Sequence, residues 1–159
     1  MIQDIKQLIR SGGVKRWHQY PEMNGCNENL AEHQWTVAML VLFFDPDASR
    51  EDLIFALTHD VGELEAGDLS RQSKALNVIM EAETLARRRI LSGKWDSGEY
   101  RHTHAIHLAD RLAAWIKMMQ FNPSLRRETA WVEMRTKMYV EAERLGLSDK
   151  FSEVMNAFR

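Results

Sequence analysis

The sequence predicts an all-α protein, a compact bundle of six to seven helices, and three observations carry that prediction. No run alternates apolar and polar residues while being rich in Val, Ile and Thr, so strand signals are nearly absent. Helix caps and breakers recur along the chain at helical distances. One segment, 31–44, is apolar nearly all round (Trp35, Val37, Met39, Leu40, Leu42, Phe43), as a central buried helix should be.

A first helix is predicted over 2–10, closed by Gly12-Gly13, and an irregular loop then runs to about Asn29. The central helix follows over 31–44. Ser49 is an N-cap, with Glu51 and Asp52 in the first turn of a helix over 50–61. A helix over 74–91 ends at Ser92-Gly93, and one over 103–121 ends at Asn122-Pro123. The last two helices are predicted over 125–145 and 149–158, with Ser148 and Asp149 forming a second cap. Trp35, Trp115 and Trp131 fit core spacing, and no repeat or low-complexity stretch interrupts the series.

Residues 1–159 are the size of one domain, with 45% hydrophobic and 28% charged residues, a globular mix and neither disordered nor fibrous. The net charge of −2 and pI near 6.3 argue against duplex nucleic acid as the main partner. Arg87-Arg88-Arg89 is the one basic run, and successive helical positions make it a solvated patch. The apolar run at 37–44 is too short to cross a membrane, and the charged first ten residues hold no signal-peptide core. A single cysteine, Cys26, excludes an internal disulfide and a multi-cysteine zinc site. The expectation is a cytoplasmic protein.

Polar residues on greasy faces carry the chemistry. His33 shares a face with Val37, Leu40 and Phe44; Asp60 lies seven residues after Leu53 and follows His59; Asp110 lies between Ile106 and Ala113. Unpaired carboxylates there are costly, and a divalent cation would resolve the cost for all of them together. Two imidazoles and two carboxylates from three helices form a plausible ligand set. Each residue also has a plainer reading: a core His satisfied by a carbonyl, an Asp capping a turn or meeting Arg111 or Lys117. The combination favours the metal. Glu63, four residues after His59, would lie one turn along a continuing helix as general base or acid, unless Gly62 ends the helix and Glu63 is an ordinary exposed residue. Asp68 after Gly67 could orient water or a second cation, or cap the helix ahead. His104 and His107, with His102, could bind a metal but read better as the polar start of a helix.

The stretches Arg16-Trp17, Asn27-Glu28-Asn29-Leu30-Ala31-Glu32-His33, His59-Asp60-Val61-Gly62-Glu63, Gly67-Asp68-Leu69, Lys74 and Ala109-Asp110-Arg111-Leu112 resemble the HD-domain phosphohydrolases. That family is named for its His…His-Asp…Asp metal motif. The resemblance is to the branch of YfbR-like 5′-deoxynucleotidases and small phage dATP triphosphohydrolases of the DatZ type, and it covers residues 16 to 110. Arg16-Trp17 lies slightly farther ahead of His33 than in that branch, His18 follows where proline can stand, and the loop between the first two motif helices is shorter.

The resemblance implies a metal held by His33, His59, Asp60 and Asp110, activating a water for attack on phosphorus. Zn, Mn or Co, and equally Fe(II), suit such ligands, ahead of Mg. It further implies phosphate contacts from Arg16 and Lys74, and Trp17 against the sugar with no room for a 2′-hydroxyl. The expected reaction is hydrolysis of a 2′-deoxynucleoside triphosphate, dATP preferred, to deoxynucleoside and triphosphate. A 5′-deoxynucleotidase acting on monophosphates is the alternative, and a non-catalytic nucleotide-binding module the second. Trp131, Met134, Met138 and Tyr139 along one helix point to self-association, as a dimer or hexamer.

Overall fold

The computed structural model describes residues 2–67, 77–91 and 103–159, and these are all-α. Helix α1 spans Ile2–Ser11 and stops where expected. At Gly12 the chain runs against the start of the next helix: the Ala31 N–H donates to the Gly12 carbonyl at 3.1 Å, and a Cβ on Gly12 would lie 3.0 Å from that of Ala31. The loop that follows is irregular, apart from a 3₁₀ turn at Pro21–Met23 and a short antiparallel pairing of residues 14–16 with 28–30.

Helix α2 (Leu30–Phe44) is capped by Asn29, whose side chain accepts from the Glu32 N–H at 3.0 Å. Helix α3 (Arg50–Thr58) opens on a full capping box between Ser49 and Asp52, as the sequence predicts. It ends three residues earlier than predicted. From Thr58 the backbone tightens into i to i+3 hydrogen bonds through Val61 and Glu63, which lead into the single-turn helix α4 (Glu63–Ala66).

Helix α5 spans Asn77–Leu91; the predicted start at Lys74 and the Ser92-Gly93 stop lie outside the described residues. Helix α6 (Thr103–Phe121) ends at Asn122-Pro123 as predicted. The helix predicted over 125–145 is instead a 3₁₀ turn, Pro123–Arg127, and helix α7, Thr129–Arg144. Helix α8 (Ser148–Ala157) begins at Ser148 itself, so Ser148 is not its cap. Between α7 and α8, Gly146 takes φ +69° and the Leu147 N–H returns to the Ala142 carbonyl at 2.8 Å, a Schellman closure that brings the chain straight into the next helix.

The core lies between α2 and α6. Val37 and Val41 of α2 pack in one cluster with Leu108, Leu112 and Met118 of α6, with Trp131 and Met138 of α7 and Phe151 of α8 closing one side. Helix α2 is not buried all round. Its outer face carries Trp35, Met39 and Phe43 into solvent, Trp35 with 62% of its surface exposed, so Trp35 is not core while Trp115 and Trp131 are. Of the α7 stripe read as self-associating, Trp131 and Met138 are buried and Met134 is half-buried, while Tyr139 packs edge-on against Phe151 at 5.0 Å and stays exposed. A small second cluster of Val61, Ile90 and Leu91, with Leu8 and Leu64, ties α4 and α5 to α1. Among the described residues no helix is long and apolar enough to cross a membrane.

Candidate metal centre

Three segments converge on one point. The second turn of α2 brings His33, fully buried; the tightened turn after α3 brings His59 and Asp60; the middle of α6 brings Asp110. One donor atom from each of the four lies within 4.8 Å of the others. His33 Nε2 lies 3.0 Å from Asp110 Oδ1 and 3.8 Å from Asp60 Oδ2; His59 Nε2 lies 3.3 Å from Asp60 Oδ2 and 3.7 Å from Asp110 Oδ1. Asp110 meets His33, and of Arg111 and Lys117, the two cations considered for it, Lys117 pairs with Glu32.

The plainer reading of His59 as a residue satisfied by a carbonyl holds for one nitrogen only. Its Nδ1–H donates to the Ala56 carbonyl at 2.9 Å, which fixes the tautomer and turns Nε2 to the carboxylates. That Nε2 is buried and makes no hydrogen bond. Burial works against a proton there, but Asp60 and Asp110 outweigh it and hold the imidazole well above its ordinary pKa. His33 goes the other way. Burial, reinforced by the Arg16 guanidinium and opposed by Asp110, lowers it to about 4, so it is neutral at physiological pH. Asp110 stays ionised, held well below its usual range by the two imidazoles against the pull of burial.

Arg16 completes the group. Its guanidinium donates to Asp60 Oδ2 at 3.1 Å, and burial is offset by the carboxylates of Asp60, Glu63, Asp110 and Glu28, which keep it charged. Glu63 is buried, not the exposed surface residue of the plainer reading, because the tightened turn after His59 carries it back inward without a continuing helix. Four carboxylates thus surround one guanidinium. A mixed nitrogen and oxygen donor set, an orphaned buried imidazole nitrogen and this excess of negative charge together fit a divalent cation held by His33, His59, Asp60 and Asp110.

Trp17 lies in the irregular loop, as its position in the sequence predicts, and is built into the core. It is 6% exposed, its ring 5.6 Å from Tyr20 and 6.2 Å from Trp131, and its indole N–H donates to Glu28 Oε2 at 2.6 Å. Its backbone takes φ +72°, where a residue with a Cβ is strained by about 1–2 kcal/mol. Glu28, which the sequence offers only as one letter of the Asn27-Glu28-Asn29 string, is a buried carboxylate reaching both Trp17 and Arg16. Its signal was a charged residue just ahead of a helix cap, a position where charge is ordinarily solvated. Asp68, Lys74 and His102 lie outside the described residues, as does the His104 side chain, while His107 is exposed.

A helical bundle that gathers two imidazoles and two carboxylates in the order His, His-Asp, Asp defines a class. The family model of the HD domain matches residues 8–138, and the chain belongs to that family of phosphohydrolases. It is also similar to a protein of Salmonella phage PMBT28 described as a dATP triphosphohydrolase, 25% identical over 173 aligned positions that cover 98% of this chain and 80% of the relative. No solved structure matches the chain.

Proposed function

We propose that the protein is a metal-dependent phosphohydrolase of 2′-deoxynucleotides, acting as a dATP-preferring triphosphohydrolase. The convergence of His33, His59, Asp60 and Asp110 beside a buried Arg16 and a buried Glu63 carries the reading. The phage relative's description supports dATP as the substrate. A divalent cation held by the four ligands supplies Lewis acidity, lowering the pKa of a water and withdrawing charge from a phosphoryl group.

The chain's own residues do the rest. Arg16 presents its guanidinium at the edge of the ligand set, suited to a phosphate oxygen through a charge-assisted fork. Glu63, desolvated beside Arg16, takes the proton of the attacking water or returns one to the leaving 5′-oxygen. Attack at the α-phosphorus forms one P–O bond to water and breaks the bond to the 5′-oxygen, releasing deoxynucleoside and triphosphate. The family resemblance assigns Trp17 to the sugar side, where a ring held between Tyr20 and Trp131 would be a rigid wall against a 2′-hydroxyl. Lys74 adds a second cationic contact to phosphate, and Asp68 orients water.

The test is product identification after incubating metal-loaded protein with dNTPs, dNMPs and rNTPs. Triphosphate released from dATP supports the reading. Inorganic phosphate released only from dNMPs makes the protein a 5′-deoxynucleotidase. No turnover with a filled metal site leaves a nucleotide-binding module.

A further inference from the structure

We infer that Glu28 is a positioning residue that anchors Trp17 in the aromatic core and thereby aims Arg16 at the substrate, an inference that rests on the deoxynucleotide reading above. Arg16 and Trp17 are neighbours in sequence but serve opposite sides, one turned to the metal ligands and the other into the aromatic core. The left-handed backbone at Trp17 makes that divergence, and such a conformation persists only where its surroundings over-determine it. Glu28 is what determines it. One carboxylate oxygen, Oε2, accepts the Trp17 indole N–H at 2.6 Å and faces Arg16 Nε at 3.4 Å, in a side chain that is 3% exposed. The Glu28 backbone carbonyl also accepts the Arg16 N–H at 3.1 Å, so both ends of the residue grip the same dipeptide.

The charge on Glu28 has a second consequence. Arg16 stands between Glu28 on its Nε side and Asp60 on its Nη1 side, a guanidinium divided between a positioning carboxylate and a candidate metal ligand. Without the Glu28 charge, Asp60, Glu63 and Asp110 are the remaining carboxylates that attract it. The guanidinium would then collapse onto groups that the cation needs, and its remaining donors would no longer face a phosphate.

Two variants separate the parts. Glu28→Gln keeps an oxygen for the Trp17 indole and removes the charge opposite Arg16; Glu28→Asp keeps the charge and shortens its reach. Each is made with native Arg16 and with Arg16→Ala. Thermal melting, metal stoichiometry, kcat and KM for dATP are measured, together with calorimetric binding of inorganic triphosphate to the metal-free protein. With Arg16 present, Glu28→Gln raises KM and weakens triphosphate binding about tenfold with kcat within about threefold. With Arg16→Ala, the same substitution changes either quantity less than about twofold, because its effect passes through Arg16. An equal penalty in both backgrounds, or no change with Arg16 present, overturns the inference. Should Glu28→Gln fail to fold, Glu28→Asp makes the same comparison, with a smaller penalty that again vanishes in Arg16→Ala. Wild-type protein that binds triphosphate but turns over no deoxynucleotide refutes the functional reading alone, and the triphosphate isotherms still decide the role of Glu28.

Discussion

Metal binding should release one proton, and His59 should supply it. In the metal-free protein its Nδ1–H is committed to the Ala56 carbonyl, and its Nε2 is held protonated by Asp60 at 3.3 Å and Asp110 at 3.7 Å. A cation and a proton cannot share that nitrogen, so the proton must leave. His33 contributes none. Lowered to about 4, it is already neutral, and its Nε2–H, donated to Asp110, can move to the ring's other nitrogen without changing the proton count. Asp110 is ionised before the cation arrives. Well above pH 4, where His33 is half charged, and below the raised value of His59, log K for the metal therefore climbs by one per pH unit. Affinity is higher at higher pH, by about tenfold or ~1.4 kcal/mol for each unit. Calorimetric titration with Co²⁺ near pH 6 in buffers of contrasting ionisation enthalpy counts the protons directly, and repeating it a unit apart gives the slope. A count of zero would mean that His59 is neutral despite its two carboxylates. A count of two would mean that burial and Arg16 fail to discharge His33. Either result refutes the charge assignment of the site.

Asp110→Ala removes the carboxylate that joins α6 to His33, and metal and activity should disappear together; a full equivalent of metal after dialysis, read by elemental analysis, would count against Asp110 as a ligand. Glu63→Gln should keep the metal and lower kcat by about 10²–10⁴, the usual worth of a positioned acid or base, and a kcat within a few-fold of wild type would remove it from proton transfer. Trp17→Ala should narrow the ratio of kcat/KM for dATP over ATP, and denaturant unfolding should show a loss of about 3–5 kcal/mol because the ring is a core element. Destabilisation with an unchanged ratio would leave Trp17 a purely structural residue.

The candidate metal cluster was legible because a polar residue on an apolar helical face is costly: His33 and Asp110 each interrupt such a face, and Asp60 follows in the turn after α3. The HD family followed from their order along the chain, and the helical class from the missing strand signals and the recurring caps and breakers. Orientation was less legible where the pattern had no polar side. Helix α2 is apolar around most of its circumference, so periodicity could not tell that Trp35, Met39 and Phe43 face outward while Val37 and Val41 face α6. The end of α3 depends on local i to i+3 hydrogen bonding that no residue pattern announces, and Glu63 is buried through that turn. Trp17 and Glu28 escaped for a related reason: a positive φ at a tryptophan and a buried acid ahead of a cap both run against local preference, and only tertiary contacts sustain them.

The span of the site along the chain bears on how the protein comes apart. His33 and Asp110 are 77 residues distant in sequence, so their meeting closes a long loop that the unfolded chain visits rarely. A cation held by all four residues would have its full set of partners only with α2, the turn after α3 and α6 docked together. Interactions that form after the folding barrier slow escape from the native state and leave the rate of reaching it almost unchanged. A metal bound there would then extend the lifetime of the folded chain more than it would speed its assembly.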